Sequence, residues 1–154
     1  MAVEIERKFL VQGQGWRSSV LQLRFTQGYL SRDPARTVRV RIEGDEARLT
    51  VKGRTQGATR AEFEYQIPVA DAQALLTLCD GPLVEKIRHF HRHDDGLAWE
   101  IDEFFGDNAG LVVAEIELSS ETQTFARPAW LGAEVTGDVR YFNSNLAVRP
   151  YSSW

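Results

Sequence analysis

The chain has 154 residues, enough for one domain with its own core, and we expect a single domain over 1–154. Hydrophobic residues make up 43% of it and charged residues 26%, which excludes wholesale disorder, and the net charge of −4 argues against a nucleic-acid partner. No apolar run approaches the roughly 20 residues that span a bilayer, the N-terminus is charged, and Cys79 is the lone cysteine. We therefore expect a cytoplasmic protein with no membrane segment and no internal disulfide.

Short alternating segments separated by turn signals follow one another along the chain, which is typical of an antiparallel meander. We predict strands near residues 3–10, 26–32, 37–43, 47–53, 60–68, 83–92, 97–104 and 111–119. Asp94-Asp95-Gly96 predicts a hairpin turn between two of them. Helical spacing predicts one helix over 70–79 and shorter helices near 16–22, 122–130 and 143–148. The sequence thus predicts a sheet-dominated α+β fold with about eight strands.

Charged side chains alternate with apolar ones along seven of these segments. Because side chains two residues apart share one face of a strand, the charges of each segment lie on a single face. The basic members are Lys8, Arg39, Arg41, Lys52, Lys86 and Arg88, with Arg60 as a further one, and the acidic members are Glu4, Glu6, Glu62, Glu64, Asp102, Glu115 and Glu117. For any one strand, a face in contact with water is the simpler interpretation. Paired charges of one sign on strand after strand favour a second interpretation.

A sheet of about eight strands can close into a barrel with a narrow interior. If the charged faces line that interior, the charges must be paired or bound, because burying an unpaired charge is costly. A metal–polyphosphate ligand would satisfy both signs, since lysine and arginine bind phosphate oxygens and carboxylates bind Mg²⁺ or Mn²⁺. The apolar faces would then point outward, where helices or a second copy of the chain in a homodimer would cover them.

The motif Glu4-Ile-Glu6-Arg-Lys8 opens an ordered series that covers nearly the whole chain. It continues with Gln27-Gly-Tyr29-Leu30, Val38-Arg39-Val-Arg41, Leu49-Thr-Val-Lys52, Arg60-Ala-Glu62-Phe-Glu64, Glu85-Lys86-Ile-Arg88, Glu100-Ile-Asp102, Ala114-Glu115-Ile-Glu117 and Glu134-Val-Thr-Gly-Asp138-Val-Arg140-Tyr141-Phe-Asn143. This series resembles the CYTH superfamily of triphosphate tunnel metalloenzymes, and most of all its short bacterial tripolyphosphatases. The resemblance implies an antiparallel eight-stranded β-barrel, or tunnel, with a charged interior and a few covering helices.

The resemblance also implies a role for each position. The carboxylates that would hold Mg²⁺ or Mn²⁺ are Glu4, Glu6, Glu62, Glu64, Glu115 and Glu117, with Asp102 supporting them. The cations that would hold phosphates are Lys8, Arg39, Arg41, Lys52 and Arg88, with Arg60 as a candidate of the same kind. Lys86 and Tyr29 resemble a lysine–tyrosine pair implicated in catalysis.

The expected reaction is metal-dependent hydrolysis of a small-molecule triphosphate, with inorganic tripolyphosphate giving pyrophosphate and phosphate. Three alternatives stay open: a thiamine triphosphatase, a class IV adenylate cyclase, and a polyphosphate-binding module without catalysis. His89, His91 and His93 fall on the strand face opposite Lys86. A His-x-His zinc site there is the sharper hypothesis, and surface histidines are the interpretation we favour.

Overall fold

The computed structural model describes residues 2–19 and 21–154, which form nine strands and two α-helices. The strands are β1 (Val3–Val11), β2 (Leu21–Ser31), β3 (Arg36–Glu43), β4 (Glu46–Gly53), β5 (Thr59–Ile67), β6 (Asp80–Arg92), β7 (Ala98–Phe104), β8 (Val112–Glu117) and β9 (Leu131–Glu134). The helices are α1 (Val69–Leu76) and α2 (Asn143–Leu146), and short 3₁₀ turns lie at Gly15–Ser18, Gly106–Asn108, Val139–Tyr141 and Tyr151–Ser153. Within the described residues, no helix is long and apolar enough to cross a membrane.

Eight of the strands close into an antiparallel barrel in the order β5-β4-β3-β2-β6-β7-β8-β1, with β1 returning to β5. The closing ladder pairs Val3, Glu4 and Ile5 of β1 with Ala61, Arg60 and Thr59 of β5. Farther along, the same edge of β1 pairs instead with β9, from Phe9 to Val11. The predicted eight-stranded antiparallel barrel is therefore confirmed, and its closing seam is short.

Several element boundaries differ from the predicted ones. β2 begins at Leu21 rather than near residue 26, because Leu21, Leu23 and Phe25 continue the alternation and pair with β6. β9 was not predicted, since the four residues Leu-Gly-Ala-Glu carry no alternating pattern. The hairpin at Asp94-Asp95-Gly96 is confirmed by the β6–β7 pairing on either side of it.

The helix predictions are partly wrong. The helix predicted over 70–79 is α1, which ends at Leu76, and the helix predicted near 143–148 is the shorter α2. Near 16–22 the described residues form only the turn Gly15–Ser18 before β2 begins, and residue 20 lies outside the described residues. The 122–130 segment is irregular, and it is held on the barrel wall by Phe125, which packs against the rings of Phe9 and Trp99.

The chain covers much of its own outer barrel face. One apolar cluster joins β1, β7 and β8 to loop residues, and its buried members are Phe9, Trp16, Trp99, Ile101, Ala114, Ile116, Leu118 and Trp130. A ring as fully buried as Phe9 contributes roughly 1.5–3 kcal/mol to stability. α1 covers β3 and β4 in the same way through Ala72 against Val40 and Ala47. Phe63 and Tyr65 of β5 stay exposed, and the homodimer stays a prediction.

The resemblance implies a charged barrel interior, but only part of the interior is charged. At one end an apolar plug, defined as Tyr29, Val84, Phe104, Leu111, Val113, Tyr141, Leu146 and Ala147, fills the lumen. Leu146 and Ala147 come from α2 and the residue after it, so this short helix seals that end. Val113 and Phe104 face inward like Asp102. The alternation of side chains along the strands therefore could not distinguish the residues of the apolar plug from the charged residues that line the cavity.

The backbones of β1 and β9 approach each other closely at Gly132, which leaves no room for a side chain there. A Cβ on Gly132 would lie 2.9 Å from the carbonyl oxygen of Leu10, so Gly132→Ala must push the two strands apart. We expect the free energy of unfolding in urea to fall by about 1–3 kcal/mol. Gly15→Ala is the matched control, because its Cβ would meet only Trp130 Cδ1 at 3.7 Å. Equal unfolding midpoints for the two variants would contradict this account.

Candidate active site in the barrel interior

The strand order separates the interior charges by sign. β7, β8, β1 and β5 are consecutive around the barrel, as are β4, β3, β2 and β6. We call the first group the acidic wall, defined by Glu100, Asp102, Glu115, Glu117, Glu4, Glu6, Glu62 and Glu64. We call the second group the basic wall, defined by Lys52, Arg39, Arg41, Lys86 and Arg88. The exceptions are Lys8 and Arg60, which are cations on the strands of the acidic wall, and Glu43, a carboxylate on β3 that lies 3.0 Å from Arg41 Nη2.

A cavity of about 90 Å³ lies between the two walls. The predicted site residues that line it are Glu4, Glu6, Lys8, Tyr29, Arg39, Lys52, Arg60, Lys86, Arg88 and Glu115. A vestibule of about 720 Å³, with Arg32 and Arg54 on its wall, shares Thr37, Arg60 and Phe142 with this cavity. The vestibule therefore leads into the cavity past arginine side chains.

The other predicted site residues, Arg41, Glu62, Glu64, Asp102 and Glu117, lie beyond the lining of this cavity. Glu62 and Glu64 contact the basic wall, with Glu62 3.4 Å from Lys52 Nζ and Glu64 accepting from Thr50 Oγ1 at 3.0 Å. Glu117 lies directly across the β1–β8 ladder from Glu6. These three carboxylates are therefore close to residues that line the cavity or stand on its strands.

Ion pairs join the two walls across the lumen. Lys52 Nζ lies 3.0 Å from a carboxylate oxygen of Glu4, and Arg39 Nη2 lies 3.5 Å from Glu64. Lys8 Nζ lies 3.5 Å from Glu115 on the next strand. Each of these cations is thus bound to a carboxylate that could otherwise bind a metal ion.

Asp102 holds two cations at the buried inner side of the cavity. Its Oδ2 accepts from Lys86 Nζ at 2.7 Å and from Arg88 Nη2 at 2.9 Å, and its Oδ1 accepts from Arg88 Nε at 2.7 Å. Burial works against the charged carboxylate, but Arg88 and Lys86 outweigh it and keep the pKa of Asp102 below its ordinary value. Both oxygens are occupied, so Asp102 acts as an ion-pair partner here.

Lys86 is 1% exposed, and its ammonium is the most deeply buried cation of the basic wall. Burial lowers the pKa of Lys86 to about 7, with Asp102 opposing this shift and Arg88 adding to it. Its Nζ also donates to Asn143 Oδ1 at 2.8 Å. A lysine of this kind can give or accept a proton near neutral pH.

Tyr29 and Lys86 make no direct hydrogen bond in the described part of the chain. Two residues link them, because Gln27 Nε2 donates to Tyr29 Oη and to Asn143 Oδ1, each at 3.1 Å. The sequence analysis missed Gln27 and Asn143 as site residues. Both are uncharged, and Asn143 belongs to a helix outside the alternating strands. The available signals were the Gln27-Gly-Tyr29 motif and the motif that ends at Tyr141-Phe-Asn143.

Repulsion and attraction set opposite pKa shifts within the acidic wall. Burial, followed by Glu115 and Glu4, raises the pKa of Glu6 well above its ordinary value. Burial also disfavours charged Glu115, but Lys8 and Arg88 outweigh it and lower the pKa of Glu115. One carboxyl group of this neighbouring pair is therefore protonated much more readily than the other.

Two further carboxylates of the acidic wall are crowded. Burial and a hydrogen bond with Glu4 raise the pKa of Glu62 to about 7. Burial, then Glu4 and Glu100, raises the pKa of Glu117. Beyond burial, neighbouring carboxylates contribute to the raised pKa of both groups, so a divalent cation would relieve repulsion there.

The donor set of the acidic wall fits Mg²⁺ or Mn²⁺, because it consists of carboxylate oxygens. Among the described residues, no three histidine, cysteine, aspartate or glutamate side chains already enclose an ion.

In the basic wall, positively charged side chains lie close to one another. Burial, then Arg39 and Arg88, lowers the pKa of Arg41 to about 10. The guanidinium groups of Arg41 and Arg88 lie 4.7 and 4.9 Å from the centroid of the Phe25 ring, which supports both from inside the barrel. Such a cluster of cations favours binding of a multiply charged anion.

His89 and His91 lie on the outer face of β6, as the parity predicted, and His93 follows the end of that strand, but His89 is buried rather than a surface residue. His89 Nε2 lies 3.2 Å from Glu103 Oε1, and its ring packs edge-on against Trp16 at 4.9 Å. His89 therefore fixes the Gly15–Ser18 turn on the barrel. The described residues provide no cluster of three metal-binding side chains here, and the zinc hypothesis gains no support.

An interior with one carboxylate wall and one lysine–arginine wall defines a barrel cavity that can bind a polyanion together with divalent cations. The family model for the CYTH domain matches residues 2–151, and the chain belongs to this family. Membership implies a divalent metal requirement.

Two curated relatives and one solved structure, each at least 37% identical to this chain, are named inorganic triphosphatases. An inorganic triphosphatase of Acetivibrio thermocellus is 47% identical over 155 residues, covering 100% of this chain and 99% of that protein. An inorganic triphosphatase of Nitrosomonas europaea is 39% identical over 150 residues, covering 94% of this chain and 97% of that protein. A crystal structure of an inorganic triphosphatase superposes with a TM-score of 0.69 at 37% identity and covers 96% of both chains.

The raised pKa of Glu62 generates a prediction about stability. Its pKa is about 7 in the folded chain against an ordinary 4.5, so between these values the folded state binds more protons and stability falls as pH rises. Without metal, Glu62→Gln should therefore gain about 1–3 kcal/mol relative to wild type between about pH 5 and pH 8. Urea unfolding with a chelator present measures this. The control variant Glu85→Gln, on the outer face, should show the same change of unfolding free energy with pH as wild type. If the unfolding free energies of Glu62→Gln and wild type change with pH in the same way, Glu62 does not have a raised pKa in the folded chain.

Proposed function

We propose that this chain is a metal-dependent hydrolase that converts inorganic tripolyphosphate to pyrophosphate and phosphate inside its barrel. One CYTH domain over 1–154 would carry the whole activity. The observation that carries the proposal is the pairing of an acidic and a basic wall across one cavity. The relatives named inorganic triphosphatases, at 47% and 39% identity, support the same substrate. A cytoplasmic location is consistent with the free thiol of Cys79.

Ligand binding would exchange partners within the interior. Lys52 leaves Glu4 and Lys8 leaves Glu115, so that both lysines can bind phosphate oxygens. The released carboxylates become available to cations that arrive with the triphosphate. Because every released charge gains an opposite one, the exchange avoids leaving a buried charge unpaired.

Separate residues would hold the phosphates and the metal. The phosphate ligands are Lys8, Arg39, Arg41, Lys52, Arg60 and Arg88. The metal ligands are Glu4, Glu6 and Glu115 in the cavity, with Glu62, Glu64 and Glu117 beside them. When bound, Mg²⁺ or Mn²⁺ neutralises phosphate charge and acidifies water. Asp102 serves the site by holding Lys86 and Arg88.

Lys86 and Tyr29 would act on the reacting end of the triphosphate. Both line the cavity, where Lys86 can donate a hydrogen bond to a phosphate oxygen as negative charge develops. Water attacks the terminal phosphorus, the bond to the bridging oxygen breaks, and phosphate and pyrophosphate leave. Positioning and charge neutralisation supply most of the acceleration in phosphoryl transfer.

A substrate panel tests the proposal directly. Phosphate release is measured from tripolyphosphate, thiamine triphosphate, ATP and pyrophosphate, each with Mg²⁺, Mn²⁺ or a chelator. We expect metal-dependent release from tripolyphosphate that clearly exceeds release from the other three. Faster release from thiamine triphosphate, formation of cyclic AMP from ATP, or tight binding without turnover would each replace the proposal with the corresponding alternative.

Glu6→Gln separates metal binding from folding. Glutamine resembles the protonated glutamate that the raised pKa of Glu6 favours, so the fold should persist, but it offers no anionic oxygen. We expect turnover of tripolyphosphate to fall roughly a hundredfold or more, with the thermal midpoint equal to or above that of wild type. Glu85→Gln, on the outer face of β6, is the control and should keep full turnover. Full turnover in Glu6→Gln would remove Glu6 from the metal ligands.

A further inference from the structure

Hydrogen-bond donors and acceptors can be assigned through the chain of contacts that joins Lys86 to Tyr29. A lysine ammonium only donates, so the Asn143 atom that faces Lys86 must be its oxygen, Oδ1. That oxygen only accepts, so the Gln27 atom that faces it must be the amide nitrogen, Nε2. The Lys86 ammonium thus fixes the orientation of both amides.

The hydrogen-bonding role of the Tyr29 hydroxyl is fixed in the same way. Gln27 Nε2 has two N–H donors, and one goes to Asn143 Oδ1 and the other to Tyr29 Oη. The Tyr29 oxygen is therefore an acceptor within this chain of contacts. Its own O–H proton is left to donate elsewhere, and Tyr29 lines the cavity.

The N–H directions of the Lys86 ammonium are also fixed by its hydrogen bonds. Of the three N–H donors of its ammonium, one goes to Asp102 Oδ2 at 2.7 Å and one to Asn143 Oδ1 at 2.8 Å. With two of them fixed, the direction of the third is also fixed, and Lys86 lines the same cavity as Tyr29.

The burial of Gln27 indicates that its amide does more than fill space. Its side chain is fully buried, and its Oε1 makes no hydrogen bond with any described residue. An unpaired buried oxygen costs about 1–3 kcal/mol, which an apolar side chain of similar shape would avoid. A glutamine in this place is thus explained by its two donated hydrogen bonds.

We propose that Gln27 and Asn143 are positioning residues that direct one Lys86 N–H and the Tyr29 O–H into the cavity, toward the oxygens of a bound phosphate. This inference rests on the proposed function and assigns the hydrogen-bond geometry of that site. Gln27 lies outside the cavity lining and acts through Tyr29 and Asn143, whereas Asn143 lines the cavity beside Lys86 and acts through the hydrogen bond that its Oδ1 accepts from that lysine.

Steady-state kinetics on tripolyphosphate test the proposal with Asn143→Ala, Gln27→Met and the double variant. Misdirected donors should lower kcat by roughly tenfold to a hundredfold, while KM stays within about twofold. Because both residues belong to one chain of contacts, the double variant should lose little more than the worse single variant. Unchanged kcat in Asn143→Ala, or strictly additive losses, would overturn the proposal.

Asn108→Ala is the matched control for damage to α2. Asn108 Nδ2 donates to the Leu146 carbonyl of α2 at 3.4 Å, so this variant loosens the same helix without touching Lys86. It should lower the thermal midpoint and leave kcat within about twofold of wild type. A fall in kcat equal to that of Asn143→Ala would assign Asn143 a merely structural role.

A readout independent of turnover keeps this inference separate from the proposed function. Nitrogen-15 spectra detect a lysine ammonium when hydrogen bonds restrict its rotation and slow its proton exchange. The Lys86 signal, assigned with Lys86→Met, should be visible in wild type and Asn108→Ala and lost in Asn143→Ala. If wild type hydrolyses no triphosphate, the proposed function fails, and this signal alone decides the inference. An unaltered Lys86 signal in Asn143→Ala would overturn it.

Discussion

Asp102 has no exposed surface, and it keeps Lys86 and Arg88 inside a closed barrel through three hydrogen bonds of 2.7 to 2.9 Å. Removing one partner from such a group leaves a buried charge uncompensated, at a cost of roughly 3–5 kcal/mol. The basic wall therefore depends on a carboxylate of the acidic wall. This requirement explains why Asp102 has the inward parity of a metal ligand and yet gives both its oxygens to cations.

The same requirement for pairing applies to the whole lumen, and the strand order meets it. Along the chain, acidic and basic strands are mixed, since β1 and β5 enclose the basic strands β2, β3 and β4. Around the barrel, they sort into two continuous walls because β1 closes onto β5 on one side and pairs with β8 on the other. Each lysine of the walls can then reach a carboxylate, as Lys52 reaches Glu4, and a triphosphate with its cations can replace both partners together.

Strand parity predicted which residues face inward, because Glu4, Glu6 and Lys8 or Arg39 and Arg41 can share a face only if they alternate. Parity could not predict the apolar plug, since Val113 occupies the same inward face as Glu115. Nor could it predict β9 or the bridge through Gln27 and Asn143, which depend on how distant segments dock. The carboxylate pKa shifts were likewise out of reach, because they follow from burial and from neighbours on other strands.

The plug also explains how a four-residue helix can orient a buried lysine. A helix as short as α2 cannot persist by itself, so its position must come from packing. Leu146 supplies that packing inside the plug, and Asn108 binds the Leu146 carbonyl from the barrel side. Asn143 is the first residue of the same helix, so the packing of Leu146 sets where its Oδ1 meets Lys86. The apolar end of the lumen thus helps to direct a donor at the polar end, and it does so through the apolar packing of Leu146 rather than through the single hydrogen bond from Asn108.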